Sequence, residues 1–291
     1  MPLAAKLCLL DPIVTYLVIT GLFLGFSWLG LLARGRWLPH GRLAGSREVA
    51  GILFSGIAVL YAVILAFVVL GEWENFDQAT QSMEAESGAL LCIILITKSY
   101  PHPTPAIANL QRAVRTYLDR VIQEEYPAMQ RMRPAPGTQE AFQRIWTAAD
   151  TLVPATAAEA NIQRSVFQYL GQAQGARANR LLMAIRGLPS ALWVVIVLGA
   201  VVTMGFSLFL STERFWTQVF LNFGLGSATA LVIYAIVELN YPFIGTVSVA
   251  TEGYEYALSQ CQDPPAVPRP AQARPGGHGR PIRPRAARAR G

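Results

Sequence analysis

From Val49 to Gly71 the chain carries no charged side chain, and at Glu72 it turns acidic without a glycine–proline break. An α-helix rises 1.5 Å per residue, so this run is long enough for the ~30 Å hydrocarbon core of a bilayer. The helical pattern continues past Glu72. Glu74, Asp77, Gln81 and Glu84 share one face, while Phe76, Ala79, Met83, Leu90 and Ile94 mark a second, apolar one. The spacing predicts one rod that leaves the membrane and becomes the first helix of a soluble domain, amphipathic to about Thr97.

Two features of this rod are candidate functional elements. Gly51, Ser55, Ala58, Ala62 and Ala66 recur at steps of four, three, four and four. Such a small-residue stripe serves tight helix packing or lines a conduit. Glu72, Glu74, Asp77, Glu84 and Glu86 form an acidic collar below it, with Glu72 and Glu86 at nearly the same helical angle. A solvated helix face accounts for any one of these acids. A ring of them round a pore mouth requires several copies, hence an oligomer.

Three further runs have bilayer length: Ile13–Ala33, Ser190–Leu210 and about Phe215–Val237. The first is too long for the apolar core of a signal peptide and no A-x-A site follows it. Gly21-x-x-x-Gly25, Gly224-x-x-x-Ala228 and Gly226-x-x-x-Ala230 are close-packing motifs of low specificity. Only 14% of residues are charged, against about a quarter in soluble domains.

The stretch between the second and third runs has the size of a small domain, and its apolar periodicity is helical. After the prolines of Ser99–Pro105, a helix is expected from about Ala106 to Met132, with Ile107, Leu110, Val114, Leu118 and Val121 inward. A third is expected from Thr138, read as its cap, to about Leu152, and a fourth from about Ala155 to Ile185. No run of alternating β-branched residues demands a strand. Pro242 ends the fourth span, Gly245 permits a turn, and Thr246 to about Cys261 forms one short helix.

The expected architecture is all-α and polytopic, with four transmembrane helices and a helical soluble domain inserted between the second and third. Residues 1–12 form a head, 13–72 hold spans one and two, and 73–189 the soluble domain. Residues 190–238 hold spans three and four, 239–263 a post-membrane segment, and 264–291 an Arg/Pro-rich tail whose composition cannot bury a core and which is expected to be disordered.

Net charge is +6, but much of the arginine lies in that tail, so the charge does not indicate a nucleic-acid partner. A tail of this kind contacts anionic lipid or simply keeps the chain soluble. Cys8, Cys92 and Cys261 are scattered, as are His40, His102 and His278, which argues against a metal centre, a cofactor or a disulfide framework. No nucleophile elbow, zinc-binding helix or phosphate loop is present, which argues against an enzyme. Flanking charge leaves the orientation even. Arg34, Arg36, Arg42 and Arg47 mark the first loop as cytoplasmic, whereas Arg177, Arg180 and Arg186 mark the opposite side of the third span.

The segment from Tyr61 to Leu90 resembles the signature of the bacterial bestrophin-like membrane family, an aliphatic span ending in an acid and Trp followed by an "A…EA..L" helix. Those positions are Glu72, Trp73, Ala79, Glu84, Ala85 and Leu90. A "PF.G" element after the last span is the second shared feature, here Pro242, Phe243 and Gly245. The resemblance covers about residues 13–260. It implies kinship with bestrophins, which are pentameric anion channels with their soluble helices and termini in the cytoplasm. The expected protein is therefore a multi-pass protein of the bacterial inner membrane, a homo-oligomer, and an ion channel or channel-like pore. A non-conducting scaffold or sensor acting through the helical domain is the other reading. Only Glu252, Glu255 and Asp263 follow the last span, so the bestrophin calcium cluster is not matched, and an acidic collar favours cations over anions.

Overall fold

A computed structural model describes residues 11–37, 47–100, 104–209, 215–245 and 247–261. The first ten residues, the centre of the first loop, most of the turn after the third span and the Arg/Pro-rich tail lie outside the described residues. The expected disorder of residues 264–291 therefore falls outside them as well.

Among the described residues the fold is wholly helical. Helix α1 spans Pro12–Trp37, α2 Arg47–Lys98, α3 Pro105–Arg120, α4 Tyr126–Gln130, α5 Pro136–Asp150, α6 Ala157–Ile185, α7 Ser190–Phe209, α8 Phe215–Leu239 and α9 Glu252–Gln260. Asp11 starts α1 by accepting a bond from the amide of Ile13 at 2.9 Å. Thr104 and Thr156 cap α3 and α6 through their hydroxyls. Thr138, by contrast, lies inside α5, which begins at Pro136, and its buried hydroxyl caps nothing. Pro136 supplies the helical φ at the start of α5 and no amide that needs a cap, which moves the start two residues upstream.

Among the described residues four stretches are long and apolar enough to cross a membrane: Pro12–Leu32, Val49–Lys98, Ala157–Leu208 and Trp216–Leu239. Two hydrophobic cores follow from this. The first half of α2 packs with α1, α7 and α8 around Tyr61, Leu65, Ile196, Ala200, Ala230 and Ile236. The second half packs with α3, α5, α6 and α9 around Leu90, Ile94, Leu110, Leu118, Ile145 and Leu170. Helix α2 is the one element that runs unbroken through both.

The "PF.G" element joins the two cores. Tyr241 and Ile244 belong to the first, while Phe243 belongs to the second and meets Tyr126 edge-on at 6.5 Å. Gly245 has φ 95°, a conformation that only glycine adopts without strain. The Tyr126 hydroxyl donates to the Val249 carbonyl at 2.5 Å and fastens the chain beyond the turn. Asn240 accepts the amide of Leu188 at 2.6 Å, which ties the end of α8 to the α6–α7 connection.

Candidate functional site along the second helix

Helix α2 has a packed side, from Tyr61 to Thr97, and an open side. Tyr61, Leu65, Val68, Glu72, Ala79, Met83, Glu86, Leu90, Ile93 and Thr97 follow at helical spacing and all are buried. Two of the five collar acids, Glu72 and Glu86, lie on this side. A second series, beside the packed one at its start and drifting to the far side by Leu70, is Gly51, Ser55, Ala58, Ala62, Ala66, Leu70, Glu74, Asp77, Gln81 and Glu84, in steps of three and four. Gly51 and Ala58 are half-buried and the others are exposed. The small-residue stripe therefore leads through Leu70 to the exposed acids, and among the described residues Ser55, Ala62, Ala66 and the acids Glu74, Asp77 and Glu84 are uncovered.

Close approach on the packed side depends on glycine. A Cβ at Gly199 would collide with the Tyr61 ring, and the Tyr61 hydroxyl donates to the Ile196 carbonyl at 2.9 Å. The family-pattern residues divide likewise. Trp73 is exposed and stacks obliquely on Phe76 at 6.5 Å, Ala85 is exposed, and Pro242, Phe243 and Gly245 form the turn described above.

Glu86 sits at the centre of the helical domain, with its side chain fully buried. Arg180 of α6 grips it in a fork, Nε to Oε2 at 2.8 Å and Nη2 to Oε1 at 3.4 Å. The same Nη2 reaches Glu125 Oε1 at 3.4 Å, and Arg177 holds both oxygens of Glu125 at 3.1 and 3.2 Å. Tyr117 donates to Glu86, Arg177 donates to Gln139, and Arg180 Nη1 meets the Met129 sulfur at 3.0 Å. The Arg180 guanidinium also lies 5.7 Å from the centre of the Tyr254 ring. Two guanidiniums thus face two carboxylates, and the cluster draws a residue from α2, α3, α4, α5, α6, α9 and the turn before α4.

That turn is the reason Glu125 can take part. Val121–Glu125 is a π-helical turn in which the amide of Tyr126 bonds the carbonyl of Val121. Pro127 has no amide, and its ring crowds the carbonyl four residues back, so the helix widens just ahead of it. The extra residue brings both Val121 and Glu125 inward.

Taking ions out of water costs several kcal/mol each, and only good geometry with further hydrogen bonds repays it. Here the forked contacts, the Tyr117 hydroxyl and the flanking rings meet that condition for Glu86 and Arg180, while Arg177 Nε is buried with no hydrogen-bond partner among the described residues. Burial pushes the Tyr117 and Tyr254 phenols well above their ordinary range. The Glu86 carboxylate adds to this and Arg180 opposes it. Two clefts reach Arg177 from the surface. One of about 790 Å³ is lined by Gln139, Gln143, Trp146 and Gln174, and one of about 380 Å³ by Met129, Met132 and Ala184.

Sequence reasoning assigned Arg177 and Arg180 to the charge flanking the third span and did not single out Glu125. Their positions in α6 carried one usable signal: two arginines three residues apart, on the same helical side as Val166, Leu170 and Ala173. Among the described residues no group of three or more His, Cys, Asp or Glu side chains is arranged to hold a metal ion.

A family model described as the Bestrophin-like domain matches residues 21–254. A search of curated proteins finds no sequence match. Among solved structures the fold is similar to crystal structures of a bacterial bestrophin homologue from Klebsiella pneumoniae, each carrying a single mutation. One has a TM-score of 0.64 at 12% identity and covers 85% of this chain and 99% of that one. Another has a TM-score of 0.62 at 12% identity and covers 84% and 97%. A structure described only as a membrane protein has a TM-score of 0.63 at 11% identity and covers 84% and 97%. At these identities the likeness is one of fold.

Proposed function

This chain belongs to the bestrophin-like family, and from that premise we propose that it is one subunit of an oligomeric ion-conducting pore in a bacterial inner membrane, lined by α2. The observation that carries the reading is the open side of α2. A small-residue stripe from Gly51 to Ala66, about 22 Å long, continues through Leu70 into Glu74, Asp77 and Glu84, and among the described residues Ser55, Ala62, Ala66 and the acids are exposed. Repeated around a symmetry axis, that side gives a narrow apolar passage with acids at its mouth, which attracts cations and repels anions. In this reading residues 13–72 and 190–238 form the four spans and 73–189 the helical domain inserted between them. The termini and that domain are cytoplasmic, the assembly is a pentamer as in bestrophins, and the Arg-rich tail touches anionic lipid. The chain is not an enzyme.

The test is flux from liposomes containing the full-length protein, with a potassium gradient and then a chloride gradient. Potassium flux that falls when Glu74, Asp77 and Glu84 are changed together to Gln, Asn and Gln supports the reading. No flux at any salt or pH, or a monomer in a native-like membrane, sinks it.

The ion cluster favours a second reading. Because it joins α2 to every other helix of the helical domain, an event at that domain's surface has a stiff route to the membrane half of α2. A non-conducting scaffold or sensor would use the same connection. It requires a partner that cross-links to the helical domain in the native membrane, and none would be found if the chain acts as a pore alone.

A further inference from the structure

Near the end of the bundle remote from the helical domain, a cavity of about 380 Å³ lies between α1 and α8. Its walls are Leu24, Gly25, Trp28, Leu31, Val219 and Phe223, with Ser27 and Asn222 at its base. Trp28 and Phe223 are each about half exposed, so the mouth opens sideways from the bundle.

Ser27 and Asn222 are 4% and 3% exposed, and among the described residues the Ser27 hydroxyl and the Asn222 Nδ2 have no hydrogen-bond partner. The Asn222 Oδ1 accepts from Gln218 Nε2 at 3.3 Å, while the Ser207 hydroxyl beside it gives its one proton to the Met204 carbonyl at 2.6 Å. The amide N–H groups are therefore left to the α1-facing side, where the cavity lies. Donors buried in apolar surroundings are costly unless an acceptor meets them, and within a membrane span bulk water does not.

Water fits this cavity poorly. Its volume would take roughly a dozen molecules at about 30 Å³ each, and each needs two to four polar partners. Two polar side chains at the base of an otherwise apolar chamber do not supply them. An amphipathic molecule does fit: acceptor oxygens for Asn222 and Ser27, and a hydrocarbon chain against Leu24, Leu31, Val219 and Phe223. A bilayer is made of such molecules, and the mouth opens toward it.

We propose that this cavity is a specific site for one glycerophospholipid. An acyl ester carbonyl, drawn below the headgroup level, accepts from Asn222 Nδ2 and the Ser27 hydroxyl, and that acyl chain occupies the α1–α8 groove. The site is distinct from the open side of α2 and holds whether or not the assembly conducts.

The experiment uses full-length protein in nanodiscs doped with a phospholipid carrying a diazirine on its acyl chain. Irradiation followed by peptide mapping locates the adducts. The expected result is labelling of the Leu24–Leu31 and Val219–Phe223 peptides that falls roughly tenfold, a loss of about 1.4 kcal/mol, in Asn222→Leu and in Gly25→Leu. Labelling at exposed Val194 and Leu198 stays unchanged. Gly25→Leu guards against a folding artefact, because a Cβ there meets nothing within 4 Å and the side chain fills the cavity while both polar groups remain. Labelling that is the same in wild type and both variants overturns the proposal. So do cross-links from this groove to a second copy of the chain, or ready modification of Ser27→Cys by a membrane-impermeant maleimide, which would show the cavity to be covered by protein or filled with water.

Discussion

At the scale of single residues, the decisive feature is that the buried charges balance. Glu86→Gln keeps the shape but leaves the Arg180 fork facing a neutral amide, with Glu125 the remaining carboxylate for two guanidiniums. Breaking one member of a buried ionic set costs about 3–5 kcal/mol. The variant should therefore unfold well below wild type in a thermal scan in detergent. Glu86→Leu with Arg180→Met should recover much of the loss, because the pair leaves the core together. The tyrosines add a pH dependence of definite sign. Their folded-state values are raised, so the folded chain keeps two protons that the unfolded chain releases near pH 10. Their contribution is complete below about pH 10 and is lost as the pH climbs toward the folded-state values. Melting temperature should hold level up to about pH 10 and then decline, and the decline should be shallower in Tyr254→Phe.

At the scale of elements, glycine sets how closely α2 and α7 approach. Gly199→Ala places a methyl group against the Tyr61 ring, and overpacking of this kind costs about 1–3 kcal/mol. Tyr61→Leu in the same chain should restore most of that stability, as measured by thermal unfolding. A variant pair that shows no such recovery would mean that the helices separate for another reason. Elements were also what the sequence revealed best. The unbroken run of α2 to Lys98 was legible because its apolar side never loses the helical step, even where the composition changes from lipid-like to acidic. The inward faces of α3 and α5 were legible for the same reason. The ion cluster was not. Glu86 and Arg180 are 94 residues apart, and no local pattern links them. Glu125 comes inside only because Pro127 widens the preceding turn, a backbone event that a fixed 3.6-residue period cannot represent. Nor does spacing alone tell which of five collar acids are buried: Glu72 and Glu86 share an angle with Leu65 and Leu90, and that became informative only once the packed side was known.

At the scale of the whole molecule, the question is what faces the open side of α2. Ala62 and Leu65 are three residues apart on the same helix, yet Leu65 is buried against the chain's own spans and Ala62 is exposed. A bulky side chain at each position separates the readings. Leu65→Trp has to displace the Tyr61–Ile196 packing and should lower the unfolding temperature in any oligomeric state. Ala62→Trp has room in a single chain, so a monomer or a loosely associated scaffold should tolerate it without change in stability. If the open sides converge on an axis, five such rings, or any symmetric number, have to share a passage lined by small residues. Flux should then cease while the folded chain keeps its melting temperature, and light scattering should show either the same oligomer or its dissociation. Unchanged flux in Ala62→Trp would place the conduction path elsewhere than α2. A variant that is silent in flux, stability and oligomer size would turn the open side of α2 toward lipid, leaving the ion cluster and the helical domain as the functional part of the molecule.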